Sequence, residues 1–89
     1  MGVLESEIEK LFKKRVEKIG GIAIKLVAVK GCPDRLVILP NNTMQLVELK
    51  TDTGVLSPMQ VYFHKKLAKL GVSVKVVRGK EGVENYGII

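Results

Sequence analysis

Gly31-Cys32-Pro33-Asp34-Arg35-Leu36-Val37-Ile38-Leu39-Pro40-Asn41-Asn42-Thr43-Met44-Gln45-Leu46-Val47-Glu48-Leu49-Lys50 contains two apolar runs, Arg35 to Leu39 and Met44 to Lys50. The intervening Pro40-Asn41-Asn42-Thr43 is turn chemistry, because proline fixes its own φ and asparagine tolerates left-handed backbone. Two such runs joined by such a turn are most simply a β-hairpin. If paired residues have numbers summing to about 82, Leu39 faces Thr43 across an odd-length loop, Leu36 faces Leu46, and Asp34 faces Glu48. An even loop without a bulge would instead send the two carboxylates to opposite faces.

Asp34 and Glu48 are the only acidic residues between Lys18 and Lys50, and each sits at or within an apolar strand. A carboxylate among Leu, Val and Ile loses hydration, so a partner or a cation must offset that cost. Two of them directly opposed, with Cβ atoms roughly 4.5 to 5.5 Å apart, repel unless something positive lies between. A divalent ion fits that position. Lys50, two residues beyond Glu48, projects from the same face. Two carboxylates holding Mg²⁺ or Mn²⁺ beside a lysine are the parts needed to hydrolyse a phosphodiester, a reaction that depends on positioning and charge more than on covalent catalysis.

The flanking sequence supplies the rest of one compact unit over residues 1–89. Leu4, Ile8, Leu11, Phe12, Val16 and Ile19 recur at helical spacing, and Gly20-Gly21 stops that helix. Ile22 to Val29, apolar apart from Lys25, reads as a strand buried on at least one face. Ser57-Pro58-Met59-Gln60 carries the N-cap serine, first-turn proline and N3 glutamine of a capped helix running to about Leu70, with a core stripe of Met59, Phe63, Leu67 and Leu70. Val72 to Val77 is a last strand. The order is αβββαβ, an α/β fold with a mixed sheet flanked by helices, followed by an irregular tail.

Composition narrows the chemistry. With one cysteine and one histidine the chain cannot assemble a His/Cys zinc site, which leaves an oxygen-ligand metal. Cys32 reads as a small turn residue, and His64, among Lys65, Lys66 and Lys69, as a surface residue. No apolar run approaches the roughly 20 residues of a membrane span, and the N-terminus has no secretory pattern, so the expectation is a cytoplasmic protein with no membrane partner. A net charge of +6 suits a polyanion. Lys25, Lys30, Lys65, Lys66 and Lys69 are candidate DNA contacts. The competing classes are a catalytically silent nucleic-acid-binding module and a small RNA-binding protein. The second is disfavoured because two Phe, two Tyr and no Trp offer few rings for base stacking.

Gly31-Cys32-Pro33-Asp34-Arg35, Val47-Glu48-Leu49-Lys50 and Leu56-Ser57-Pro58-Met59-Gln60, in this order, resemble the VRR-Nuc branch of the PD-(D/E)XK nucleases. The likeness extends from Glu5-Ser6-Glu7-Ile8-Glu9 to the strand at Val72. It implies a restriction-endonuclease-like core and an endodeoxyribonuclease that uses Mg²⁺ or Mn²⁺ and no small-molecule cofactor. It further implies Asp34 and Glu48 as metal ligands with the Leu49 main-chain carbonyl beside them, Lys50 as catalytic lysine, Gln60 as an active-site helper and one glutamate from the first helix. Glu5, Glu7 and Glu9 compete for that role, and Glu5 lies nearest the apolar stripe, about 65° from its centre at 100° per residue. Stand-alone domains of this branch resemble Holliday-junction resolvases, which implies branched DNA as substrate and a homodimer. The apolar tail Tyr86-Gly87-Ile88-Ile89 suits dimerisation. The chain departs from the pattern in its short Lys30-Gly31-Cys32 loop and in Cys32, where a small aliphatic residue is commoner.

Overall fold

The structure, a computed structural model, describes residues 4–27 and 29–87. Helix α1 (Glu5–Lys18) is followed by strands β1 (Ile22–Lys25), β2 (Arg35–Leu39) and β3 (Thr43–Lys50), helix α2 (Pro58–Lys69), strand β4 (Val74–Arg78) and helix α3 (Gly79–Asn85). The four strands form one sheet in the order β1-β2-β3-β4. The first three are antiparallel, and β4 joins β3 in parallel after the α2 crossover. A parallel neighbour requires such a crossover, which is why a mixed sheet follows from a hairpin and then a strand-helix-strand unit.

The hairpin register is the one expected from sequence: Leu39 opposes Thr43, Ile38 opposes Met44, Leu36 opposes Leu46 and Arg35 opposes Val47. The three-residue loop closes because Asn41 and Asn42 adopt φ of 67° and 60°. Asparagine occupies that left-handed region more readily than most residues.

Alternation along the strands divides the sheet into two faces. Ala23, Val37, Val47, Leu49 and Val77 point toward α1 and α3, where Ile8, Phe12, Val16, Val83 and Tyr86 complete the core. Ile8, Phe12 and Val16 are fully buried, each stabilising the fold by about 1.5–3 kcal/mol. Phe12 and Tyr86 meet edge to face at 4.8 Å, and the Tyr86 hydroxyl donates to Gln45 at 2.6 Å. The opposite face carries Glu48 and Lys50 toward α2.

Four expectations are corrected. The tail contains a helix, α3, and Tyr86 is a core residue rather than part of a dimerisation tail; Ile88 and Ile89 lie outside the described residues. The first strand ends at Lys25 and is mostly exposed, with only Ala23 turned to the core, because it is the sheet edge. The stripe on α2 is not core: no residue of that helix is buried, and Met59 and Leu70 are 42% and 79% exposed. The helix lies over the β3–β4 side of the sheet and leaves Ile22, Ile24, Ile38 and Met44 exposed on the same face. Among the described residues no helix is long and apolar enough to cross a membrane.

Candidate active site

Asp34 stands at the mouth of β2, immediately after the buried Pro33. Its carbonyl accepts from the Leu26 N–H at 2.9 Å, and its carboxylate Oδ2 accepts from the Leu49 N–H at 2.8 Å. The residue just past β1 therefore anchors the Asp34 main chain, and β3 holds its carboxylate. Glu48 lies one step past the Arg35–Val47 pair, on the α2 face, with no exposed surface. Burial, a hydrogen bond with Asp34 and repulsion from Asp34 push the Glu48 carboxyl up to about 8. Lys50 opposes that rise and Glu5 adds to it. Both residues therefore act electrostatically on the same centre. Asp34 and Glu48 are together as the hairpin register requires, and at neutral pH the pair retains a proton.

Helix α2 supplies two further groups to Glu48. The Ser57 hydroxyl accepts from the Gln60 N–H at 3.2 Å, and the Gln60 Oε1 accepts from the Ser57 N–H at 2.8 Å, which makes a reciprocal capping box. The same glutamine side chain then extends Nε2 to Glu48 Oε2 at 3.3 Å. Capping and reaching the acid are compatible because the amide oxygen serves the helix while the nitrogen serves the site. Gly31 allows this approach: at φ +88° it passes so close to the first turn of α2 that a Cβ would lie 2.7 Å from the Met59 carbonyl.

His64, one turn after Gln60, places Nε2 at 3.0 Å from Glu48 Oε1. The expectation of a surface histidine is corrected here: its side chain is 16% exposed and faces the carboxyl pair. The signal for it was spacing, since residues four apart lie on one helix face and the resemblance already places Gln60 in the site. The adjacent lysines obscured it. At 3.0 Å the two atoms are close enough for an ion pair. We read it as a hydrogen bond between two neutral groups, because burial pulls the imidazole down while Glu48 holds its proton; the Asp34 charge offsets that pull only in part.

The remaining candidates divide between the two faces. Lys50 shares the Glu48 face, opposite Arg78. Glu9 is directed elsewhere, 3.6 Å from Arg35, and Glu7 is exposed; of the three candidates Glu5 is the one whose charge acts on Glu48. The Leu49 main chain reaches the site through its N–H on Asp34. Lys25 pairs with Arg35, on the α1 face, whereas Lys65, Lys66 and Lys69 are exposed on α2 and Lys30 on the β1–β2 loop. Lys66 lies over the Tyr62 ring at 5.6 Å.

Among the described residues no three Asp, Glu, His or Cys side chains are grouped so that they could hold a metal ion. The donor chemistry nevertheless fits one. A fully buried acid beside a second acid, with Lys50 as the cation acting on it, is an environment in which a divalent cation replaces a retained proton.

No family model matches the chain. It is 41% identical over 81 residues to "Putative nuclease p44" of Acyrthosiphon pisum secondary endosymbiont phage 1, covering 89% of this chain and 87% of that protein. Among solved structures, a chain described as a VRR_NUC domain superposes with a TM-score of 0.83 at 34% identity, covering 91% of this chain and 90% of that one. The mixed four-stranded sheet, the Asp34–Glu48 pair at its centre and these two likenesses over most of the sequence lead to one conclusion: the chain belongs to the VRR-Nuc family of nucleases.

Proposed function

We propose that this nuclease is a metal-dependent endodeoxyribonuclease that hydrolyses phosphodiester bonds in branched DNA such as Holliday junctions, acting as a homodimer in the cytoplasm of a bacterial host. The observation that carries the reading is the convergence of Asp34 and Glu48 from adjacent strands, with Lys50 on the same face as Glu48.

In this mechanism Asp34 and Glu48 would hold one Mg²⁺ or Mn²⁺ through their carboxylate oxygens, with the Leu49 carbonyl as a third donor. A divalent cation bound there would supply Lewis-acid polarisation of a phosphoryl oxygen and acidification of a water molecule. Lys50 orients the attacking water through its Nζ protons and balances the negative charge that develops on the phosphoryl group. Gln60 fixes the rotamer of Glu48, and Glu5 closes the site from the first helix. Lys65, Lys66 and Lys69, with Lys25 and Lys30, contact phosphates rather than bases, so recognition depends on the shape of the DNA.

The uncovered sheet face supports the dimer. Ile22, Ile24, Ile38 and Met44 are 61%, 41%, 36% and 64% exposed on one continuous strip, and an apolar strip of this kind favours a partner over water. Two-fold pairing through it suits a junction with two symmetric strands to cut.

The test is a panel of end-labelled junction, flap, duplex and single-stranded DNAs with Mg²⁺, Mn²⁺ or excess EDTA. Paired cuts in the junction that require a divalent ion are expected. Cleavage that persists in EDTA, or equal cutting of every substrate, would overturn the reading.

A further inference from the structure

We propose that Arg78 is a substrate-binding residue of this site, its guanidinium holding a non-bridging phosphate oxygen of the DNA strand to be cut. The inference rests on the nuclease reading above and deepens it by naming a group that takes the phosphate. Strands β3 and β4 are parallel, and their register pairs Lys50 with Arg78, the last residue of each. Paired residues of adjacent strands project from the same face, and neighbouring strands lie roughly 4.8 Å apart. Arg78 therefore stands beside Lys50 on the face that carries Glu48. Ligands of parallel strands bind outside their carboxyl ends, and this end of the sheet holds Lys50, Arg78 and, at the start of antiparallel β2, Asp34.

The fold does not take up the charge on Arg78. Among the described residues the ion pairs are Arg35–Glu9 and His64–Glu48, so no carboxylate neutralises this guanidinium. Nor does its side chain cap α3, at whose start it stands. Its Nη1 donates to the Gly54 carbonyl in the loop that follows Lys50. That contact fixes the head group at the site end of the sheet and leaves Nη2 and Nε of an exposed side chain to other acceptors. A staple to one carbonyl needs a donor but no charge. Two cations side by side on adjacent strands repel each other, and an anion between them removes that cost. A phosphodiester supplies the anion: guanidinium N–H groups match the spacing of phosphate oxygens, whereas a lysine acts as a point charge. Arg78 thus binds and orients the backbone while Lys50 serves the attacking water.

The test couples the residue to individual phosphates. Those along one strand of the substrate are replaced one at a time by neutral methylphosphonate, and affinity is measured by anisotropy in Ca²⁺. The wild type is compared with Arg78→Gln, whose amide can still donate to the Gly54 carbonyl. Wild-type affinity should fall roughly 10-fold at one position, the loss of a charge-assisted contact. The variant should bind unmodified DNA more weakly by a similar factor and be indifferent to methylphosphonate at that position. Arg78→Lys, which keeps the charge and gives a second folded form to test, should stay sensitive there. Equal sensitivity of the wild type and Arg78→Gln at every phosphate would overturn the proposal and leave the nuclease standing. So would a lowered melting temperature with affinity lost evenly over all positions, the mark of a loop staple alone. Coupling at one phosphate in a wild type that cuts no DNA with any divalent ion would keep the Arg78 contact and overturn the metal-dependent reading instead.

Discussion

At the residue scale, the consequence of burying Glu48 beside Asp34 is a pH-dependent stability. The folded carboxyl titrates at about 8, against an ordinary 4.5. Between those values the native state binds more protons than the unfolded one, so metal-free stability falls as pH rises through this window. Glu48→Gln should therefore be more stable than the wild type at pH 8 in EDTA, with a flatter melting temperature between pH 5 and 8. Parallel curves for the two proteins would mean that Glu48 is not the titrating group. Function should move in the opposite direction. Asp34→Asn, Glu48→Gln and Lys50→Ala are each expected to abolish cleavage while circular dichroism and DNA binding in Ca²⁺ stay near wild type; strong residual cutting by Lys50→Ala would count against its role. Asparagine at position 34 can still accept the Leu49 N–H through its amide oxygen, so that variant tests charge rather than folding.

The elements explain why the site survives the poor packing of α2. That helix has no buried residue, so its position depends on its first turn, where the Ser57–Gln60 box and the close Gly31–Met59 approach fix it against the β1–β2 loop. Ser57→Ala should cost about 1 kcal/mol of stability, the usual loss for an N-cap. It should also raise the metal concentration needed for half-maximal cleavage, because Gln60 and His64 reach Glu48 from the same helix. Denaturant melts and metal titrations of one preparation check both effects, and a stability loss with unchanged metal dependence would separate the cap from the site. Gly31→Ala is the harsher change. It places a Cβ at φ +88° and 2.7 Å from the Met59 carbonyl, which forces α2 away from the acid.

For the whole molecule, charge and apolar surface point to different partners. Residues 51–89 carry six basic and three acidic side chains, and α2 presents Lys65, Lys66 and Lys69 to solvent. If each protomer of a dimer neutralises about three phosphates, log K for duplex arms should fall with log salt at a slope of roughly −5 to −6, and a monomer would give about half of that. Fluorescence anisotropy in Ca²⁺ measures the slope. A value near zero, or a strong preference for one base sequence, would contradict phosphate-led recognition. Replacing Lys65, Lys66 and Lys69 with alanine should flatten it, whereas no change would shift the contact toward Lys25, Lys30 and the first helix. Ile24→Glu, in the exposed apolar strip, should halve the mass in sedimentation without unfolding the protein, since the side chain is 41% exposed in the single chain.

The αβββαβ order and the pairing of Asp34 with Glu48 were legible in the sequence. Both follow from local rules: strand alternation with period two, a loop whose asparagines accept positive φ, and a serine–proline–glutamine helix start. The last helix was not. Gly79 and Gly82 weaken its propensity, and it forms because Val83, and Tyr86 just beyond it, find the core beside Phe12. Nor could periodicity reveal that the α2 stripe stays half open, because a helix pattern specifies which side chains share a face but not how much sheet lies beneath it. The role of His64 was hidden for the same reason. Its type and its lysine neighbours describe a surface residue, and only the packing of α2 over β3 brings its ring to a buried carboxyl.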